Sequence, residues 1–183
     1  MISVAALRMQ QFGVQFYQAS LTAKDIDKLV RFEVLNYGDQ TAGPGVRGRA
    51  QQSKVRWDLL ERRIASSEKA YHRQIIRKKI DELVQYFEQC RIARDLPSIA
   101  GAVIISCDEP LKFEAVSGEP SLGMLKVPER EGILRAIDGQ HRLLALHAAM
   151  DQFEGENFTL PAVIFDRLPQ DHVGQMLVPV NPK

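Results

Sequence analysis

The stretch Ile133-Leu134-Arg135-Ala136-Ile137-Asp138-Gly139-Gln140-His141-Arg142-Leu143, running on to Met150, changes its period once, and that change decides the fold. Ile133–Ile137, apolar but for Arg135, reads as a short strand. From Gln140 to Met150 the residues Leu143, Leu144, Leu146, Ala148 and Met150 supply the packing face of a helix. Asp138-Gly139 breaks the chain between them. The segment therefore reads as strand, tight turn and helix.

Asp138 is expected to cap that helix, its carboxylate accepting from free N–H groups of the first turn. Gly139 lets the backbone turn sharply and lets a ligand approach with no Cβ in the way. His141 and Arg142 fall in the first helical turn, where unpaired N–H groups and the positive end of the dipole favour an anion. Arg142 can fork two hydrogen bonds onto phosphate oxygens, and His141 can donate one and titrates near neutrality. Asp138, Gly139, Gln140, His141 and Arg142 are thus the candidate phosphate- or nucleotide-binding residues. The same spacing also fits a plain amphipathic helix whose His141 and Arg142 tie down neighbouring loops. It is not a Walker A loop, which needs G-x-x-x-x-G-K-[ST].

Upstream, Phe16–Leu21 reads as a strand, followed by a helix from Thr22, with Asp25 placed to complete its N-terminus, through about Phe32. Gly38–Arg49 holds four glycines and a proline and reads as a mobile loop. Trp57 to Ser66 and Glu68 to Cys90 read as helices. The second is lined on one side by Ile76, Ile80, Leu83, Val84 and Phe87, with Arg73, Arg77 and Lys78 crowding its first half. After Leu96-Pro97 come short strands: Ala102–Ser106, then Lys112–Val116 and Leu122–Val127 around a Gly-Glu-Pro-Ser turn, and later Leu160–Phe165. A last helix starts at Gln170. Helices followed by strands with one crossover helix make an α+β or mixed-sheet fold.

The chain has 183 residues, 45% of them hydrophobic and 26% charged, which is the composition of a globular domain with a sizeable core. It reads as a single domain over 1–183, the N-terminal part of a longer protein. The net charge of +1 hides an asymmetry: residues 47–94 hold 13 Lys/Arg against 6 Asp/Glu, and the remainder holds 11 against 17. A localised basic segment points to an anionic partner, although a solvated helix face gives the same count. Cys90 and Cys107 stand far apart and read as plain thiols. No leader and no membrane-length apolar run is visible, which fits a cytoplasmic protein with no membrane partner. His72, His141, His147 and His172 never recur at i,i+4 with a carboxylate, so no metal site is assigned. Asp108-Glu109 and Glu129–Glu131 read as surface acids, and Trp57 among cations as a core anchor or a stacking platform. No residue is singled out as catalytic.

Ile137-Asp138-Gly139-Gln140-His141-Arg142-Leu143 with Ala145 resembles the signature of the DGQHR-domain family. That bacterial family lies in the ParB/sulfiredoxin-like superfamily and includes the DNA phosphorothioation regulator DndB. Phe16-Tyr17 resembles the family's aromatic opening strand, Tyr71-His72-Arg73 its basic helix, and Met176–Asn181 its second helix, against whose pattern Pro179 and Pro182 stand out. The resemblance implies a ParB/sulfiredoxin-like mixed sheet with flanking helices and an N-terminal helical segment. In sulfiredoxins the corresponding turn carries the reacting cysteine where this chain has Gln140, so sulfinic-acid reduction is not implied. In ParB clamps the turn reads Gly-Glu-Arg-Arg and binds nucleotide phosphates. Gly139 and Arg142 keep that pattern, while Gln140 and His141 depart from it and leave nucleotide choice and hydrolysis unassigned.

The expectation is a DNA-associated regulator of a bacterial DNA-modification or defence system. The Asp138–Arg142 turn would grip a phosphate of nucleotide or DNA backbone, and Arg73, Arg77 and Lys78 would add backbone contacts to DNA. The competing expectation is an enzyme, an NTPase, nuclease or phosphotransferase, using the same turn with a nucleotide and Mg²⁺. DNA is the expected partner, with nucleotide and a second copy of the chain as further ones.

Overall fold

The computed structural model describes residues 1–31 and 77–177. The glycine-rich stretch 38–49, the Trp57–Ser66 helix, His72, Arg73, Ile76 and residues 178–183 lie outside the described residues.

Eight strands form one mixed sheet: β1 Ile2–Gln11, β2 Val14–Thr22, β3 Val30–Arg31, β4 Val103–Cys107, β5 Lys112–Val116, β6 Glu119–Val127, β7 Leu134–Asp138 and β8 Thr159–Asp166. Their order across the sheet is β3-β7-β4-β8-β2-β1-β6-β5. The β3–β7 and β4–β8 pairs are parallel and the others antiparallel. The helices are α1 Ala23–Leu29, α2 Arg77–Ala93, α3 Gln140–Ala148 and α4 Gln170–Leu177, with a 3-10 turn at Met150–Phe153. This is the expected α+β mixed sheet with flanking helices.

Thr22 and Asp25 cap α1 reciprocally. Thr22 Oγ1 accepts from the Asp25 N–H at 3.1 Å, and Asp25 Oδ2 accepts from the Thr22 N–H at 3.2 Å. The helix stops at Leu29 rather than Phe32, because Val30 and Arg31 pair with Leu134 and Arg135 at the sheet edge. Between β5 and β6 the turn is Ser117-Gly118, with Gly118 at φ +85°. Glu119 and Pro120, expected in that turn, belong instead to β6.

One face of the sheet carries the main core. Leu134 and Ala136 of β7 and Val103 and Ile105 of β4 meet Ile26 and Leu29 of α1 and Leu143, Leu144 and Leu146 of α3. Ala148, expected on that packing face, is exposed. The helix α2 packs on α3 and adds Ile80 and Phe87, the Phe87 ring edge-on to Phe153 at 6.1 Å. On the opposite face, the linker after β8 is clasped at Leu168. Its carbonyl accepts from Arg135 Nη2 at 2.8 Å, and its N–H donates to Ser106 Oγ at 3.0 Å. With both faces covered here, Leu134, Arg135, Ala136 and Ile137 of β7 are all buried in succession.

Candidate functional site

The turn joining β7 to α3 is built on Gly139, which takes the N-cap position with φ +83° and ψ 15°. Such a conformation strains any side chain, and the space is closed as well: a Cβ at Gly139 would lie 2.8 Å from Val103 Cγ1 and 3.1 Å from Arg142 Nη2. Asp138 does not cap the helix. It is the last residue of β7, still paired with Ile104, so the cap position falls one residue later, on a glycine with no side chain to offer. The exposed Asp138 carboxylate instead lies 4.0 Å from Arg142 Nη2. The first intrahelical bond runs from the Leu143 N–H to the Gly139 carbonyl at 3.0 Å. Gly139 thus offers the preceding amides of the turn no capping side chain.

Arg142 reaches from the first turn to the segment entering β4. Its Nη1 donates to the Gly101 carbonyl at 2.8 Å, and its Nη2 to the Ala102 carbonyl at 3.4 Å. A Cβ on Gly101 would lie 3.2 Å from Nη1, so the guanidinium is seated between Gly101 and Gly139. Of the two uses that spacing allowed for Arg142, tying down a neighbouring loop is therefore realised. The side chain is still 29% exposed, and a guanidinium has further N–H donors beyond these two.

Gln140 is turned inward, only 6% exposed, with Nε2 donating to the Ala136 carbonyl at 3.4 Å and its Oε1 buried without a hydrogen-bond partner. What it offers at the turn is its backbone N–H. His141 is half-buried in the same first turn. His147, near the other end of α3, meets Asp27 of α1 through Nδ1 and Oδ1 at 2.5 Å and joins the two helices. His172 is exposed on α4. Of the basic trio expected to meet DNA, Arg73 is outside the described residues, and the backbone places Arg77 and Lys78 in the first turn of α2.

Both cysteines are buried free thiols, and burial pushes the Cys107 thiol above its usual range. The acids near turns are in surface ion pairs: Glu109 with Arg130 at 2.6 Å, and Glu129 with Lys28 at 2.7 Å. Among the described residues no group of His, Cys, Asp and Glu is placed to hold a metal ion, and no helix is long and apolar enough to cross a membrane.

A sequence-family profile described as DndB, DNA-sulfur modification-associated, matches residues 4–181. The chain belongs to the DndB family. The match runs from β1 past α4, so it takes in the whole sheet as well as the turn. Comparison with curated proteins and with solved structures gives no match. Membership places this DndB-family chain in a DNA sulfur-modification system.

The partners that Arg142 uses, Gly101 and Ala102, were not singled out in the sequence. Their signal is faint: one glycine ahead of an apolar run, where no period marks which distant side chain will approach. The Asp27–His147 pair was equally hidden, since the two residues meet only once α1 and α3 pack.

Proposed function

We propose that this DndB-family chain is a DNA-associated regulator of the modification system, binding a phosphate of DNA backbone or nucleotide at the β7–α3 turn. The supporting observation is the N-terminus of α3: a turn capped by a glycine, which brings no side chain to the first amides, with a guanidinium fixed beside it. Backbone N–H groups and the helix dipole favour an anion there. Arg142, held by the Gly101 and Ala102 carbonyls, keeps further donors for it without having to be ordered on binding. In this reading the turn works as the phosphate-gripping turns of ParB/sulfiredoxin-like folds do, and Arg73, Arg77 and Lys78 add sequence-independent backbone contacts.

The test is titration of wild type, Arg142→Ala and Arg142→Lys with duplex DNA and with nucleoside triphosphates across a salt series. Arg142→Ala should weaken binding about 10-fold or more, the loss of a charge-assisted pair at roughly 1.5–3 kcal/mol. Arg142→Lys should recover only part, because a point charge lacks the planar fork. Arg73→Ala with Arg77→Ala should flatten the slope of log affinity against log salt by about one to two. Undiminished binding by a folded Arg142→Ala variant would refute the phosphate role.

A further inference from the structure

The sheet face turned away from α1 and α3 is covered at its β7 and β4 end, where Ile137, Phe165 and Val173 are buried apart from the main core. At the β1, β2 and β6 end no element among the described residues covers it. In β1, Val4 and Ala6 enter the core, and Ala5, Leu7 and Met9 alternate onto the open face. Register carries the pattern across strands: Leu7 lies beside Leu122, Ala5 beside Met124, Met9 beside Phe16, and Gln11 beside Val14. Leu7 is 43% exposed, Met9 37%, Val14 52%, Leu122 43% and Met124 36%. Where β1 turns into β2, Phe12 is fully exposed at φ +46°, a left-handed conformation that hairpins ordinarily give to Asn, Asp or Gly.

We propose that this open face is where a second copy of the chain docks, sheet against sheet. Scattered exposed apolar residues are ordinary, but a patch made contiguous by strand register marks a contact surface. Charge decides what covers it. None of the outward residues of β1 and β2 from Leu7 to Gln18 is charged, and neither are Leu122 and Met124, their neighbours on β6. Arg8 points to the other face and stands over the Phe113 ring, 5.2 Å from its centroid. The charges on the open face gather at one corner, where Glu114 bridges Lys112 at 3.0 Å and Lys126 at 3.4 Å. A polyanion or an anionic membrane would need cations within the patch. An identical neutral face leaves no charge buried and unpaired, and a two-fold axis through it gives a closed, self-complementary contact. Two such sheets can interdigitate their side chains about 10 Å apart, with Phe12 reaching over the partner from the end of its hairpin. The β7–α3 turn belongs to the other side of the sheet and stays open on both copies, so this contact does not depend on the phosphate role.

Sedimentation velocity of the whole chain, from low micromolar to hundreds of micromolar, reads the contact. Wild type should dimerise, and Leu7→Asp with Leu122→Asp should weaken the dimer at least about 30-fold. Leu7→Met with Leu122→Met should keep it. Two Asp side chains directly opposite on β1 and β6 repel and lower the melting temperature, so all three proteins are compared at a temperature where circular dichroism shows each one folded. Hydroxyl-radical oxidation of Met9 and Met124 should slow as concentration rises in wild type and not in the Asp variant. A chain that stays monomeric throughout, or a dimer indifferent to the Asp pair, overturns the proposal. So does a monomer that binds phosphatidylcholine vesicles or duplex DNA in a Leu7-dependent way, which would give the face to lipid or to nucleic acid.

Discussion

Replacing Gly139 by alanine tests two demands of the β7–α3 turn at once, and Gly155 separates them. Both glycines are left-handed, at φ +83° and +81°, but nothing lies within 4 Å of a Cβ at Gly155, whereas one at Gly139 meets Val103 Cγ1 at 2.8 Å. A left-handed conformation costs an L side chain about 1–2 kcal/mol. Restricting the unfolded chain returns about 0.4–1 kcal/mol. Gly155→Ala should therefore destabilise by about 1 kcal/mol. At Gly139 the neighbour is β-branched, fully buried in β4 and unable to swing aside, which adds about 1–3 kcal/mol of overpacking. Gly139→Ala should then cost about 2–4 kcal/mol, which at about 2–4 °C per kcal/mol for a chain of this size is a fall of roughly 5–15 °C in Tm. Urea unfolding followed by far-UV circular dichroism, with the m-value unchanged, measures both variants. Adding Val103→Ala to Gly139→Ala should recover part of the loss as a favourable coupling. Equal shifts for Gly139→Ala and Gly155→Ala, with no coupling to Val103, would show that the close approach does not limit the turn.

Lys28 and the N-terminal amine hold the Glu129 carboxyl below the usual carboxylate range. Any stability this pairing contributes is present above the unfolded pKa and lost as pH falls through the folded one. Lys28→Met should move the Glu129 titration back up, as read by NMR, and an unmoved titration would discount the pair. Burial raises the Cys107 thiol, so little thiolate exists near neutral pH. Its alkylation in the native protein should run at least about tenfold slower than in urea, and equal rates would mean that β4 opens freely.

The junction between β7 and α3 was legible because its period changes from one element to the next and Asp138-Gly139 interrupts it. Thr22 and Asp25 were legible for the same local reason, a capping pair three residues apart. What escaped was set by tertiary contact. The strand β1 went unread because Ala5, Leu7 and Met9 keep its outward face apolar, so no alternation of polar and apolar residues shows. Asp138 looked like the cap because it precedes a helix, yet the ladder with β4 holds it as strand, and the cap falls to Gly139. Arg142 was recognised as important from its place in the first turn. That its guanidinium would rest on the Gly101 and Ala102 carbonyls depends on β4 lying beside β7, which no spacing encodes.

The pairing of β2 with both β1 and β8 has a consequence for how the chain folds. Phe16 bonds in register opposite Phe165, and Ile2 opposite Val127, so strands made first are completed by strands made last. On a ribosome, β1 and β2 emerge as a hairpin with apolar residues on both faces and no sheet to join until β6 and then β8 are available. Contacts so distant along the chain slow folding and leave unpaired strand edges exposed meanwhile. Newly made chain is therefore expected to depend on holding factors until residue 166 has cleared the exit tunnel. Refolding of the finished chain should be slow for its size and lose yield with rising concentration, with Leu7, Met9 and Phe12 prominent among the surfaces that meet too soon.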